Sequence, residues 1–482
     1  MQFPLDVEFT AKTERYKDLT VAARKAIIES NLRGGQRMPS AKELANQMGV
    51  SRTTMVKVYQ QLVAEGYLET KVGSGTFVKE HLHACTPTDS SDDVTSDTDV
   101  PVNFTPPADI LPGRQWQQHL TRYIRSGGVT GGAGILGYRP LRQRVAEFLR
   151  ITKGVKCSAD QVVILSGAQS ALSFVASLLV RSGDLVVTED PGDAAISSRY
   201  RMSGARIQSV PVDAAGLKVE ELDQITEPCR LIHVSPAHHF PSGATMPIEK
   251  RKALLAWAER QNAFIVEDAR DSDYFYGRGG PRSIQGLSND ERVILFYDFQ
   301  IVLHPLANLA VLVLPSSLIE QAKQTMLLCG SSLPTIEQFA LTDFIASGDL
   351  QRHIHRSRSI YQNRRQHLIF NLSQHFLREV TIPSHSAGLH QVVRFHVPLQ
   401  EADILTCAVM SGLPMVPTRA YYQGVPPHGL EFLLPFCMLE EKSTAVKIAA
   451  FKALVEQQIS QQFAPVDLPP FPVAFTSSLA MA

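Results

Sequence analysis

Within the seven residues from Ser51 to Lys57, the chain places Arg52, Thr53, Thr54 and Lys57. These side chains share one chemistry, the recognition of nucleic acid. Arg can form a two-pronged contact with guanine, Thr can touch a thymine methyl, and Lys can neutralise phosphate. No comparable set suggests a metal site. The six cysteines, Cys85, Cys157, Cys229, Cys329, Cys407 and Cys437, are scattered without a CxxC pair, a pattern expected of reduced cytosolic thiols.

Such donors need a helix to present them. Ser51 is a suitable N-cap, and Val56, Tyr59, Leu62 and Val63 recur at three- and four-residue spacing, so they give that helix an apolar side. Ser40 and Glu43 form a capping box for an earlier helix, from Ala41 to about Met48, and Gly49 supplies the turn between the two. Tyr16 to Asn31 is amphipathic and predicts a first helix. Tyr67–Lys71 and Thr76–Val78 flank Val72-Gly73-Ser74-Gly75, which predicts a hairpin with a small tip able to approach a sugar-phosphate backbone. Three helices and a hairpin in this order make a winged helix-turn-helix. A basic helix face alone is usually just solvated; order and spacing supply the specificity.

The charge distribution fits that head. Through Lys79 there are twelve Lys and Arg against eight Asp and Glu, in a chain whose formal net charge is zero, so the rest is correspondingly acidic. From His81 to Gly113 there is no Lys or Arg, and the aspartates among Ser and Thr up to about Val102 predict a flexible acidic linker. Beyond it, short β-branched runs alternate with helical patterns: Val162–Ser166, Leu185–Glu189, Leu231–Ser235, Phe264–Glu267, Val293–Tyr297 and Leu309–Leu314 read as buried strands. This alternation predicts an α/β body with a mostly parallel sheet between helices. A small α/β unit follows, with strands near Val392–Phe395 and Phe432–Pro435. The expected domains are a head at 1–80, a linker at 81–102, a body at 103–463 whose small C-terminal part starts near 377, and a Pro/Ala-rich tail at 464–482. No stretch has the form of a signal peptide or a membrane span, so the expected location is the cytoplasm and no membrane partner is expected.

The head resembles the GntR type of winged helix, with Arg37 before Pro39-Ser40 and the Ser51-Arg52-Thr53-Thr54 opening of the third helix. That resemblance implies operator DNA as the partner, contacted by Arg37, Ser40, Ser51, Arg52, Thr53, Thr54, Lys57 and the tip Gly73, Ser74 and Gly75. In the body, GYRPLRQRVAEFL, VVILSGAQSAL, VVTEDPG, VSPAHHFPSGATMPIEKR, FIVEDARDSD and VILFYDFQIVLHPLANLAVLVLP occur in the order found in MocR-type regulators. Those proteins join a GntR head to a body similar to fold type I aminotransferases, which use pyridoxal phosphate (PLP) and form homodimers. The resemblance therefore implies that fold, that cofactor and a homodimer.

The cofactor chemistry is missing from the matching positions. PLP needs a lysine for its imine, a carboxylate for its ring nitrogen, a phosphate cup and an aromatic face. The lysine position is Ile301, and no lysine lies between Arg292 and Lys323. An alkyl group forms no imine, so no catalytic residue is assigned. The hydroxyl position of the phosphate cup is Asp298, and two like charges about 4 Å apart repel by about 4 kcal/mol at a dielectric of about 20. The segment's arginine is Asn308, the stacking tyrosine is Asp193, and the tyrosine for the phenolic oxygen is Arg270. Gly167, Ala168 and Gln169 keep the turn of the cup and Asp268 keeps the carboxylate, a vestigial set. The expectation is a dimeric DNA-binding regulator with no covalent PLP and no transaminase activity. Asp193, His239, Arg270, Asp298 and Asn308 are candidates for a small-molecule effector pocket. The alternatives are a PLP-dependent aminotransferase and a PLP-responsive MocR regulator.

Overall fold

The computed structural model describes residues 15–29, 34–79, 107–125, 134–277, 280, 282–329, 335–384, 387–426 and 429–462. The expected linker (81–102) and tail (464–482) lie outside these residues. The chain divides into two compact units, Met1–Val100 and Pro101–Ala482.

The first unit contains α1 (Arg15–Glu29), α2 (Ala41–Gln47), α3 (Arg52–Ala64) and a hairpin of β1 (Leu68–Lys71) and β2 (Gly75–Val78), paired antiparallel from Leu68↔Val78 to Lys71↔Gly75. Its core joins Leu19 and Ile27 of α1, Leu44 of α2, Met55, Val58 and Leu62 of α3, and Leu68 and Val78 of the hairpin. One expectation needs correction. The buried side of α3 is Met55, Val58, Tyr59 and Leu62, while Val56 is half-buried and Val63 is 37% exposed. Apolar residues at 55, 56, 58, 59, 62 and 63 allow two overlapping stripes, and packing against α1, α2 and the hairpin selects one. The Tyr59 hydroxyl then donates to Pro39 O at 2.6 Å, tying α3 to the segment that caps α2.

The second unit begins with α4 (Gly113–Arg125) and α5 (Arg139–Lys153). An alternating series follows: β3 (Val162–Leu165), α6 (Gly167–Leu179), β4 (Leu185–Asp190), α7 (Ala194–Met202), β5 (Arg206–Asp213), β6 (Gly216–Leu217), β7 (Cys229–Val234), α8 (Ile248–Gln261), β8 (Phe264–Asp268), α9 (Ile284–Leu287), β9 (Val293–Asp298), α10 (Gln300–Leu303) and β10 (Ala310–Val313). The sheet order is β3-β10-β9-β8-β7-β4-β5-β6. Neighbours from β9 through β5 run parallel, whereas β10 is antiparallel to both β3 and β9. Both faces are covered: Ile164, Tyr297 and Val311 enter one core, and Val163, Phe296 and Leu312 the other. Burial on both faces is why these strands read as unbroken apolar runs. β5 lacks such a run because it lies near the sheet edge, alternates in burial and tolerates Pro211.

After the sheet come α11 (Ile319–Cys329), α12 (Thr335–Ala346) and the 28-residue α13 (Asp349–Phe376). The small C-terminal part contains β11 (Val380–Thr381), β12 (Gln391–Phe395), α14 (Glu401–Ser411), β13 (Val416–Pro417), β14 (Leu430–Leu434) and α15 (Glu441–Gln462). Its sheet is antiparallel in the order β11-β12-β14-β13.

Candidate functional site

In the head, local chemistry fixes the start of both helices. Glu43 N donates to Ser40 Oγ at 3.2 Å and Ser40 N donates to Glu43 Oε2 at 2.8 Å, which closes the capping box of α2. At α3, Thr54 N donates to Ser51 Oγ at 3.1 Å, and that hydroxyl lies 2.8 Å from Thr53 Oγ1 and 2.7 Å from Thr54 Oγ1. Three hydroxyls therefore gather at a helix N-terminus, where the peptide dipoles favour an anion. Arg52, Thr53 and Lys57 are exposed and Thr54 is half-buried. The turn residues Val72, Gly73 and Ser74 are also exposed. Arg37 bridges to Phe77 of β2. A Cβ on Gly75, which has a φ of +115°, would lie 3.1 Å from Arg37 Nε, so glycine there lets the Arg37 side chain rest against the hairpin. Of the expected DNA contacts, Arg52, Thr53, Thr54 and Lys57 lie on α3 and Gly73, Ser74 and Gly75 on the hairpin, while Ser40 caps α2 and Arg37 precedes it.

In the body, the site lies beyond the carboxyl ends of the parallel strands, where open α/β sheets bind ligands. Asp268 ends β8, Asp298 ends β9, and Asp193 caps α7 by accepting from Ala195 N at 2.9 Å. Arg270 joins two of these carboxylates. Its Nε donates to Asp268 Oδ1 and Oδ2 at 3.0 and 2.8 Å, its NH2 lies 2.7 Å from Asp268 Oδ2 and 3.4 Å from Asp193 Oδ2, and its guanidinium carbon is 5.4 Å from the Phe296 ring centroid. Behind Asp268, His233 Nε2 lies at 3.5 Å, and His233 Nδ1 is 3.0 Å from the Tyr200 hydroxyl. Burial alone would raise the Asp268 carboxyl, but the Arg270 charge and the hydrogen bonds from His233 and Arg270 hold it well below the usual range. Burial would likewise depress Arg270, and Asp268 outweighs that to hold it above its ordinary value.

The other candidates are placed differently. Asp298 is 1% exposed and accepts from Gln300 N at 2.9 Å; burial pushes its carboxyl up to about 7, against the lowering by Gln300 and Arg270. Asn308 is exposed, yet a Cβ on Gly167 would come within 2.2 Å of its Oδ1, so its carboxamide sits on the opening turn of α6, over the place of the phosphate cup. Ile301 is half-buried in α10 against the core. His239 does not line an open pocket. It is 1% exposed, with Nδ1 2.7 Å from Ser242 Oγ and Nε2 3.6 Å from Glu189 Oε2. Burial lowers it to about 3 and raises Glu189 to about 8, so a neutral pair is built into the end of β4. Ala168 and Gln169 lie on the first turn of α6, and Gln169 Oε1 is 3.5 Å from Arg199 NH2. Sequence reading missed His233, Tyr200 and Phe296. They lie in ordinary strand and helix patterns, and only the fold brings them behind and beside Asp268. Among the described residues there is no group of three or more His, Cys, Asp or Glu able to hold a metal ion, and no helix long and apolar enough to cross a membrane.

The comparisons agree with this division. Residues 16–78 match the family of bacterial regulatory proteins, gntR family, and residues 115–396 match aminotransferase class I and II. The probable rhizopine catabolism regulatory protein MocR of Rhizobium meliloti is 31% identical over 444 residues, spanning 87% of this chain and 90% of its own. The HTH-type pyridoxine biosynthesis transcriptional regulator PdxR of Corynebacterium glutamicum is 29% identical, over 84% of this chain and 88% of its own. Among solved structures, the kynurenine aminotransferase of Pyrococcus horikoshii superposes with a TM-score of 0.66 at 22% identity, over 74% of this chain and 90% of its own.

Proposed function

The chain belongs to the MocR-type subfamily of GntR regulators, and on that footing we propose that it binds operator DNA in the cytoplasm as a homodimer whose aminotransferase-like body is no transaminase. The observation that carries the DNA reading is the exposure of Arg52, Thr53 and Lys57 on the capped opening of α3, together with that of Val72, Gly73 and Ser74 at the hairpin tip. A homodimer would carry two heads and therefore select paired half-sites. Arg52→Ala should weaken operator binding by about 1–3 kcal/mol if Arg52 reads a base; a gel shift with unchanged affinity would remove it from the reading surface.

The body is proposed to supply dimerisation and to sense a small-molecule effector, acting without covalent PLP. The residues do not fit that cofactor. No amine stands at Ile301, the carboxylate meant for the ring nitrogen is already bound by Arg270, a buried acid stands at Asp298, and Asn308 rests on Gly167. One relative is named for regulating pyridoxine biosynthesis, and a vitamin-responsive reading of this chain must contend with the same four positions. An effector would shift DNA affinity only by the difference between its binding to the DNA-bound and free forms. The decisive test is the visible absorbance of the purified full chain with added PLP, followed by borohydride reduction and peptide mass analysis. The expected result is no imine band and no modified lysine while operator binding persists.

A further inference from the structure

By the family resemblance, positions 193 and 268 face two different parts of the cofactor ring, its face and its nitrogen. In this chain one group touches both. The Arg270 guanidinium lies 2.7 Å from Asp268 Oδ2 and 3.4 Å from Asp193 Oδ2, and its carbon is 5.4 Å from the Phe296 ring centroid. A group in contact with both positions stands in the space between them. Guanidinium also copies what a pyridinium offers there, since it is planar, delocalised and cationic and presents N–H donors to a carboxylate.

We infer that Arg270 is the specificity-determining residue of this pocket, its side chain taking the place of the pyridinium ring and excluding pyridoxal phosphate independently of the missing lysine. The inference rests on the reading that the body does not carry the cofactor, and it assigns the exclusion to a particular side chain. An entering ring would have to break a charge-assisted pair on a buried carboxylate and would leave a second cation beside itself, with no net gain in neutralisation. The same guanidinium links the cap of α7 to the end of β8, the two elements a bound ring would otherwise bridge. Ile301→Lys by itself would restore only the reacting amine, with the ring site still filled.

The test compares the unmodified full chain with Ile301→Lys, Arg270→Tyr and the double substitution, using pyridoxal 5′-phosphate as the probe. Non-covalent binding is measured by equilibrium dialysis. Imine formation at position 301, in which the lysine nitrogen joins the aldehyde carbon and water leaves, is read by visible absorbance; borohydride then adds hydride to give a secondary amine located by peptide mass. The expected result is at least tenfold tighter non-covalent binding in Arg270→Tyr. The adduct at position 301 should be at least tenfold more abundant in the double variant than in Ile301→Lys. Equal adduct in Ile301→Lys and the double variant overturns the inference, as does the absence of any gain in the Arg270 variants. Trp116 and Trp257, both buried in the body, report its folding. If the tyrosine variant unfolds, Arg270→Gln, which keeps an N–H donor toward Asp268, repeats the comparison. Binding of the probe by the unmodified chain would count against the cofactor-free body itself, whereas a failed gain in the variants removes only the role given to Arg270.

Discussion

In the head, Arg52, Thr53 and Lys57 are exposed on the first two turns of α3, while in the body Arg270 is committed to Asp268 and Asp193. The two regions use similar side chains for opposite ends. An exposed donor set keeps its bonding capacity for a partner, and the cost of holding it is only the cap and the core beneath. The body's arginine has used that capacity on its own chain. The contrast separates a set of exposed donors open to an outside partner from a site whose charged groups are satisfied by one another.

Removing the internal partner should produce the largest effect. The Asp268 side chain is 4% exposed, and Asp268→Ala leaves Arg270 and His233 without the carboxylate they share. Breaking a buried pair costs about 3–5 kcal/mol, and the lower end, about 3 kcal/mol, is expected because Arg270 is 21% exposed and keeps Asp193 nearby. The chain has two tryptophans, both in the body, so urea unfolding followed by tryptophan fluorescence isolates this unit. A loss below about 1 kcal/mol, the range of surface pairs, would show that the pair is not the internal closure described.

The acids of the body also make a pH prediction whose sign is opposite for two neighbours. Asp298 is raised from 3.8 to about 7, so the folded chain holds a proton that the unfolded chain has released. Its stability contribution is therefore complete below about pH 4 and is lost as pH rises to about 7, with a slope approaching about 1.4 kcal/mol per pH unit for one proton. Glu189, raised from 4.5 to about 8, acts in the same direction. Asp268 is lowered, so its contribution is lost only in acid. Fluorescence-detected unfolding at pH 5, 6 and 7 should show a flatter decline in Asp298→Asn than in the unmodified chain. Matching slopes would place Asp298 in a wetter setting than its burial implies.

How much could be read beforehand follows the same contrast. The head was legible because its signals are local: Ser40 with Glu43 and Ser51 with Thr54 are caps spanning three residues, and Gly49 has the positive φ its turn requires. The buried strands were legible because burial on both faces leaves unbroken apolar runs. The stripe on α3 was misassigned because two overlapping sets of apolar residues satisfy helical spacing and only tertiary packing chooses. The candidate pocket was only partly legible. The residues at 193, 298 and 301 can be set against the family pattern one by one along the chain. What Arg270 does instead depends on contacts across 77 residues to Asp193, and the support from His233 and Tyr200 depends on contacts across 35 and 33 residues. His239 was expected to line the pocket if the family fold was kept, but its ring is turned toward Ser242 and Glu189.

Smaller effects belong to the head. Ser51→Ala removes the acceptor for Thr54 N and the hydroxyl that orders Thr53 and Thr54, at an expected cost of about 1 kcal/mol in head stability. Circular dichroism sees this transition while tryptophan fluorescence does not, so a variant that shifts both signals together would mean the two units do not unfold independently.

The smallest effect is the sharpest control on the comparison. Arg24 and Glu65 make the same kind of contact as Arg270 and Asp268: Arg24 Nε lies 3.2 Å from Glu65 Oε2, and NH2 lies 2.9 and 2.8 Å from the two oxygens. The Glu65 carboxyl is lowered, through Gln61 first and then Arg24. What differs is solvent, since these side chains are 35% and 23% exposed. Water already stabilises both charges in the unfolded chain and screens them in the folded one, so Arg24→Ala should cost far less than Asp268→Ala, and less again at high salt. Measured beside Asp268→Ala, it holds geometry nearly constant while burial changes. If the two losses were equal, burial would not be what distinguishes the arginine of the body from those of the head.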